Sequence, residues 1–491
     1  MVGTERESGS SEIAWPRGLR AERESAPAPR RAWYLTIGPA YLALFVWGPF
    51  FDPLWSHDIE GGGLVGLAGS AVAAAVACFG LFYLPMAIRG FRTGRRLGVV
   101  AASTFGTLGS EWLTGMVVAV AEILWFAVAI DYAVQATLLG LISGGMLPAS
   151  VLANARIGTQ VVRGPVVMGV ALFWIFITGM AALLRLTGVI GALMKIYAPV
   201  ALVLLTIAAA WLLPGVGSFA SGEAFGGKAA RPYGPHVSAF PVFTGFFAMA
   251  SLFAVDWGAT AARRRDVVVG GLLGIVAAGT WTAIMALLVV SGALGRLHAA
   301  HEVGAATAAA APVNSVRWAI ANGIGGAPAA VILILLGLAA LAPACFSAHV
   351  FIRKLHSRWS GVRRIQWAWI GSTIAFLLIG TSWPGRIEAV DHMMGLVFAP
   401  MVGAMVGDFL ISRGQWSGVR IGWNPPGLIA WVVGIAVRLV LDRVAPPAIA
   451  SPVTALIIAA LVYAVLSLAG RDRPATADEP SAEPGVTMAG P

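Results

Sequence analysis

Residues 267–290 read VVVGGLLGIVAAGTWTAIMALLVV, twenty-four consecutive positions without a charged side chain. A helix needs ~20 predominantly apolar residues to cross ~30 Å of hydrocarbon. Helices and closed barrels are the two ways a chain satisfies its backbone in lipid, and barrel strands alternate apolar with polar residues. This stretch is apolar on every side and predicts a membrane-spanning α-helix. Windows of the same kind recur along the chain. Spans are predicted near 33–52, 62–88, 111–142, 165–185, 188–213 and 238–260, then 267–292, 327–350, 365–383, 387–411, 425–441 and 448–469. The composition agrees, with 58% hydrophobic and 11% charged residues against about 25% charged in a soluble domain.

The net charge of +10 would suit a nucleic-acid partner, but its placement in short loops reads as a topology signal. The first segment carries Arg17, Arg20, Arg23, Arg30 and Arg31. Arg89, Arg92, Arg95 and Arg96 follow the second span, Arg263, Arg264 and Arg265 the sixth, and Arg353, Lys354, Arg358, Arg363 and Arg364 the eighth. The loop Asp52–Gly61 has no Lys or Arg and carries Asp52, Asp58 and Glu60. This alternation predicts about twelve spans in the plasma membrane with both ends cytoplasmic. Residues 1–32 and 470–491 are expected to be disordered cytoplasmic tails. The first is polar throughout and has no apolar core of a cleavable leader. Cys78 and Cys345 both lie in apolar runs, so neither a disulfide framework nor a metal site is expected.

The first span is interrupted by Gly38-Pro39 and Gly48-Pro49. The sixth opens with Pro241 and contains Gly245, then Asp256 and Gly258. Five spans separate the two, so each would open a five-helix repeat, and interrupted helices free backbone groups that can bind an ion or solute. Gly and Pro are also simply common in membrane helices, and on these residues alone both readings stand.

Three stretches carry a resemblance. Leu97–Phe126, LGVVAASTFGTLGSEWLTGMVVAVAEILWF, resembles the loop and third helix of the nucleobase–cation symporter-1 family, through Ser103-Thr104-Phe105-Gly106, Gly109 and Trp125-Phe126. Ala254–Arg265, AVDWGATAARRR, is similar to the end of that family's sixth helix. Phe398–Phe409, FAPMVGAMVGDF, is similar to its tenth-helix signature, and Asn424–Trp431 to the opening of its eleventh. The resemblance implies an all-α fold with a five-plus-five inverted-repeat core (residues 33–213 and 238–411) and two added helices (residues 425–469). It also implies uptake of a nucleobase, hydantoin, allantoin or related heterocycle, coupled to H⁺ or Na⁺, with no cofactor. The departures are specific. The eighth span holds no Asn or Gln, only Cys345, Ser347 and His349 as polar groups. Phe246-Phe247 stands where relatives have a Gly-Trp pair, and Leu124 where Gly often precedes the third-helix Trp.

Ionisable groups inside a bilayer cost at least ~2.5 kcal/mol each on insertion scales, so deep ones are functional candidates. Glu122, Trp125 and Ala129 share one face of the third span at helical spacing, while Asp131 and Gln135 lie on roughly the opposite face. Glu122 could carry a coupling proton or be a buried structural acid; Asp131 would support it. Trp125, Phe246 and Phe247 are candidates for stacking on a flat ring, though 18 Trp and 22 Phe leave many others that only pack. Gly48, Ala129 and Ser347 complete the expected binding set. His349 could belong to a proton path or end a helix in water. Asp256 with Arg263–Arg265, and Asp408 with Arg413, are expected to form ion pairs at cytoplasmic helix ends, and Asp52 could serve an outer gate.

No Gly-rich Lys-Ser/Thr phosphate loop is present. His298 and His301 have no carboxylate at metal spacing. An ATP-driven pump and a membrane-embedded enzyme are therefore disfavoured, and broken helices suit alternating access better than a continuous channel. An amino-acid or other solute permease of the same broad fold is the alternative. The expected partners are a small-molecule solute and the lipid bilayer, without nucleic acid, the protein being a monomer or a weak homo-oligomer. On this topology, Ser56→Cys on a cysteine-free background is labelled by an impermeant thiol reagent from outside the cell. Labelling from the cytoplasmic side alone would reverse it.

Overall fold

The computed structural model describes residues 15–24, 29–55, 64–157, 160–183, 187–220, 239–300, 315–446 and 449–475. The outer part of the loop Asp52–Gly61, with Asp58 and Glu60, and His301 lie outside these residues, as do 1–14 and 476–491 of the two tails. Every predicted span is met by helix. The first is split into Ile37–Phe45 and Gly48–Phe51, followed by Leu64–Thr93, Leu97–Ser143, Pro165–Leu183 and Thr187–Ala220. The sixth is split into Ala239–Ala250 and Ala254–Ala259, followed by Arg264–Leu297. The eighth comprises Gly326–Ala339 and Leu341–Arg358. Arg364–Gly380, Ile387–Ile411, Pro425–Val444 and Pro452–Leu468 complete the set. Among the described residues seven helices are long and apolar enough to cross a membrane singly. The surface they present is itself apolar, with Leu172, Phe173, Phe176, Trp369 and Leu461 each more than half exposed. An exposed apolar belt of this extent is unfavourable in water and suited to lipid. The protein is an all-α polytopic membrane protein.

The breaks differ in detail from those the sequence suggests. Gly38-Pro39 lies in the first turn of Ile37–Phe45, where a missing N–H costs nothing. The interruption falls instead at Val46-Trp47, with Trp47 extended before Gly48-Pro49 restarts the helix. In the sixth span the break is at Ser251–Phe253, away from Gly245. Gly245 serves a close approach to the tenth span, since a Cβ there would lie 2.7 Å from the Asp391 carbonyl oxygen. The second and seventh spans each carry a π-helical turn, at Cys78–Tyr83 and Leu272–Ala277, at matching places in the two repeats.

The third span contains a kink at Gly106, whose φ of 77° lies in the left-handed region open to glycine. The backbone groups freed there pair with residues 420–424: Thr107 and Leu108 donate to the carbonyls of Arg420 and Gly422 at 2.8 and 2.9 Å, and Asn424 donates to Phe105 at 2.9 Å. A Cβ at Gly106 would stand 2.2 Å from the Gly422 carbonyl oxygen. The Phe-Gly pair of the sequence is thus the point where the loop before the eleventh span docks.

Two parts of the expected disordered tails are ordered. Arg17–Arg23 forms a helix, with Trp15 and Leu19 buried against Val99, Ala102 and Val419. Apolar residues inside a polar segment drive this packing. The Gly18 N–H donates to Glu111 at 2.9 Å. Glu22 accepts from the Gly98 N–H at 3.0 Å and pairs with Lys354 at 2.7 Å. At the other end, Asp472 pairs with Arg420 at 3.4 Å, and the Arg473 N–H donates to Asn424 at 3.1 Å. Both described ends therefore lie on one face of the bundle, the terminal face; the opposite face is distal.

Burial raises the Glu22 carboxyl's affinity for its proton. Lys354, Arg353 and the Gly98 N–H outweigh this and hold it below the ordinary carboxylate value. Its contribution to docking of the helix is present above the ordinary carboxylate range and is lost as pH falls through the lowered value. Replacing Glu22 with Gln, or Lys354 with Gln, is expected to speed tryptic cleavage at Arg17 and Arg20 several-fold at neutral pH, with the double variant no faster than either single one. Strictly additive effects in that cycle would show that the pair does not hold the helix.

Candidate functional site

Where the broken first and sixth spans cross, the frayed helix ends are satisfied by two tyrosines. The hydroxyl of Tyr197, on the fifth span, donates to the Ala43 carbonyl. That of Tyr41, on the first, reaches the Ala250 carbonyl at 3.5 Å. Carbonyls at a helix end need such partners when no water is at hand. Beside this crossing lies a cavity of about 110 Å³. The first span supplies Ala40, Tyr41, Ala43, Leu44 and Trp47, the third Glu122 and Trp125, and the fifth Tyr197. The sixth adds Phe246, Met249, Ala250, Phe253 and Trp257, and the eighth Pro343, Phe346 and Ser347.

Aromatic rings dominate the wall. The Trp47 and Trp125 rings are 5.3 Å apart, and Phe246 meets Trp125 edge-on at 5.3 Å and Trp47 at 6.3 Å. Phe253 and Phe346 form a second edge-on pair at 6.0 Å. The charged side chain of the wall is Glu122, 3% exposed, whose carboxylate accepts from the Ser347 hydroxyl. The Trp47 indole N–H is buried without a hydrogen-bond partner. A flat solute here would meet aromatic faces, one carboxylate and one unused donor.

Of the residues singled out in the sequence, Glu122, Trp125, Phe246 and Ser347 meet in this wall. Phe247 does not: it packs on Phe45 with rings nearly parallel at 5.7 Å, and on Tyr41 at 5.6 Å. In a helix, adjacent residues point about 100° apart, so only one of the Phe246-Phe247 pair can face the cavity. Ala129 is fully buried outside the wall. Gly48 is occupied by a neighbour, since a Cβ there would meet the Tyr132 ring at 2.0 Å. His349 lies outside the wall and hydrogen-bonds the Ala182 backbone on the fourth span.

The remaining acids work at the two faces. On the distal face Asp52 binds Arg317 twice, at 2.8 Å and 2.9 Å, and accepts the Arg317 N–H at 2.8 Å. The Arg317 guanidinium stands 4.6 Å from the centre of the Tyr132 ring on the third span. Asp131 accepts from Gln135 and pairs with Arg163 at 3.2 Å, so it braces the loop before the fourth span rather than the cavity. On the terminal face Asp256 accepts the Leu97 N–H at 2.8 Å instead of pairing with Arg263–Arg265. Asp408 pairs with Arg89 at 3.0 Å and Arg420 at 3.8 Å, not with Arg413. Ser103, Thr104, Ser417 and Tyr463 complete its shell. Charges adjacent in sequence point outward at the helix ends, while those brought in from other spans reach the buried carboxylates.

Tyr41, Trp47 and Tyr197 in the wall, and Arg317 and Arg89 at the faces, were not singled out by sequence. Trp47 alone carried a local signal, immediately before the Gly48-Pro49 interruption.

No protein-family model matches the chain, and no curated protein matches it. Solved structures do. The inward-facing conformation of Mhp1 is 15% identical, with 92% of this chain and 95% of that one covered at a TM-score of 0.63. Mhp1 as a nucleobase-cation-symport-1 family transporter, closed with bromovinylhydantoin bound, is 16% identical over 91% and 96% at 0.63. MhsT in complex with L-phenylalanine is 16% identical over 90% and 99% at 0.55. The chain has the fold of a nucleobase-cation-symport-1 transporter, at an identity low enough to mark it as divergent.

Proposed function

We propose that this protein is a secondary active transporter, a divergent relative of the nucleobase–cation symporters. It moves a small nitrogen-bearing solute across the plasma membrane by cation-coupled alternating access, with its termini in the cytoplasm. One observation carries this reading: the cavity sits where two broken helices cross, lined by indoles, one carboxylate and an unused N–H donor. A central site between discontinuous helices is the arrangement of alternating-access carriers. The wall is drawn from the terminal halves of the first and eighth spans and from both sides of the break in the sixth, while Asp52, Arg317 and Tyr132 close the distal side. The conformation therefore favours access from the cytoplasm. The fold is one of carriers rather than enzymes. An amino-acid permease is less well supported, because the wall has no basic side chain for a substrate carboxylate, and its one charge would repel it.

The coupling ion is read from the eighth span. That span runs from Gly326 to Arg358, and before Ser347 it has no hydroxyl to ligate sodium. Ser347 is engaged with Glu122. A carboxylate inside the membrane can take and release a proton, and Glu122 is placed where solute and proton would sense each other.

Radiolabelled uptake into proteoliposomes, with a panel of heterocycles and amino acids, tests the transport reading. Glu122→Gln keeps the shape but cannot ionise, so it is expected to abolish accumulation under an imposed proton gradient. Accumulation by the variant under that gradient, or wild-type uptake that requires Na⁺ and ignores pH, would show the assignment to be wrong.

The distal closure gives a second expectation. Arg317→Gln strands Asp52, and breaking a buried pair costs roughly 3–5 kcal/mol, enough to shift a two-state carrier towards the outward-open form. Phe246→Cys should then be labelled from outside at least about tenfold faster in the Arg317→Gln background. Unchanged labelling would make the pair structural only.

A further inference from the structure

The cavity's charge is unbalanced. Among the described residues no Lys, Arg or His comes within ion-pair distance of Glu122, and the wall contains no basic side chain and no Asn or Gln. Of the other buried acids, Asp408, Asp52 and Asp131 each hold an arginine, while Asp391 on the tenth span, outside this wall, holds none among the described residues. A carboxylate withdrawn from water is tolerated when an opposite charge or a proton reaches it. At Glu122 the protein supplies the Ser347 hydroxyl and no cation.

The rest of the wall is built for positive charge as well. Trp47, Trp125 and Phe246 stand together at 5.3 to 6.3 Å, and Phe253, Phe346 and Trp257 line the same space. Aromatic faces carry negative charge density and attract cations, most strongly when water is excluded. A neutral lactam would want paired donors and acceptors such as amide side chains, and leaving its polar edge unmatched would penalise binding. Here the carboxylate is charged, and the other polar groups of the wall are hydroxyls and indoles rather than amides.

We infer that the transported solute is a compact organic monocation bearing at least one N–H, of the protonated-amine or amidine type. Glu122 holds the charged nitrogen, and Trp47, Trp125 and Phe246 cover its faces. The inference rests on the transport reading of this cavity and narrows it. The cavity volume of about 110 Å³ limits the solute to about one small ring or a short branched chain. Ser347 positions the carboxylate by donating to it.

The test uses the full-length protein in lipid nanodiscs, titrated calorimetrically with benzamidinium chloride and with benzamide, which match in shape and differ in charge. Benzamidinium is expected to bind with a Kd lower by about tenfold or more. Glu122→Gln should reduce that ratio to about twofold or less. Glu122→Asp, which keeps the charge, should retain the preference, so a general loss of fold is distinguished from loss of the carboxylate. The proposal is overturned if benzamide binds as tightly, if the preference survives in Glu122→Gln, or if neither benzamidinium nor methylammonium nor methylguanidinium binds. Uptake of neutral heterocycles by proteoliposomes that ignore all three cations would defeat the substrate class while leaving the transport reading in place. Absence of uptake for every solute would defeat that reading itself.

Discussion

Hydrocarbon offers no hydrogen bonds, so a helix that stops inside the bilayer must find partners for its exposed backbone within the protein. This chain stops helices at Val46-Trp47 and Ser251–Phe253 and kinks one at Gly106. The two breaks beside the cavity are served by tyrosine hydroxyls from other spans, Tyr197 on Ala43 and Tyr41 on Ala250. The break at Gly106 is served by the loop 420–424. Each repair ties one span to another, and together they set which helices stand next to the cavity.

Charge follows the same logic. Arg89 from the second span and Arg420 from the loop before the eleventh converge on Asp408, with hydroxyls from Ser103, Thr104 and Tyr463 taking the remaining lone pairs. Satisfying a buried acid this fully makes the network hard to open, since removing one partner leaves a charge stranded in low dielectric. It joins the entrance of the third span to the tenth and twelfth and to the segment after the last helix, giving the terminal face a fixed frame. Asp52 and Arg317 are fewer in contacts and lie between the first span and a surface helix, a junction that can part.

Glu122 stands apart from both networks. It lies on the same helix face as Trp125, as the spacing of the third span required, and its fellow acid Asp131 faces away towards Arg163. Two carboxylates nine positions apart on one helix thus have unrelated roles, one in a cavity wall and the other bracing a loop.

Much of the fold was legible because lipid imposes a coarse rule: long apolar runs must be helices, and their number and boundaries follow from length alone. The twelve spans, the opposition of Glu122 to Asp131 and the Gly48-Pro49 interruption were local properties of this kind. Ion-pair partners were not legible. Proximity in sequence suggested Arg263–Arg265 for Asp256 and Arg413 for Asp408, but residues a turn beyond a helix end point outward, and the partners came from spans far along the chain. The choice between Phe246 and Phe247 also lay beyond the sequence, because helical periodicity fixes the angle between two residues but not which one faces a neighbour. The ordering of Arg17–Arg23 depended on Val99, Ala102 and Val419 assembling a surface for Trp15 and Leu19. The sequence by itself determined how many helices cross the membrane and which residues share a face, since both depend on a single helix and its solvent. Only the tertiary structure decided which faces meet, which charges pair and which carboxylates are left without a cation, because those depend on contacts between segments hundreds of residues apart.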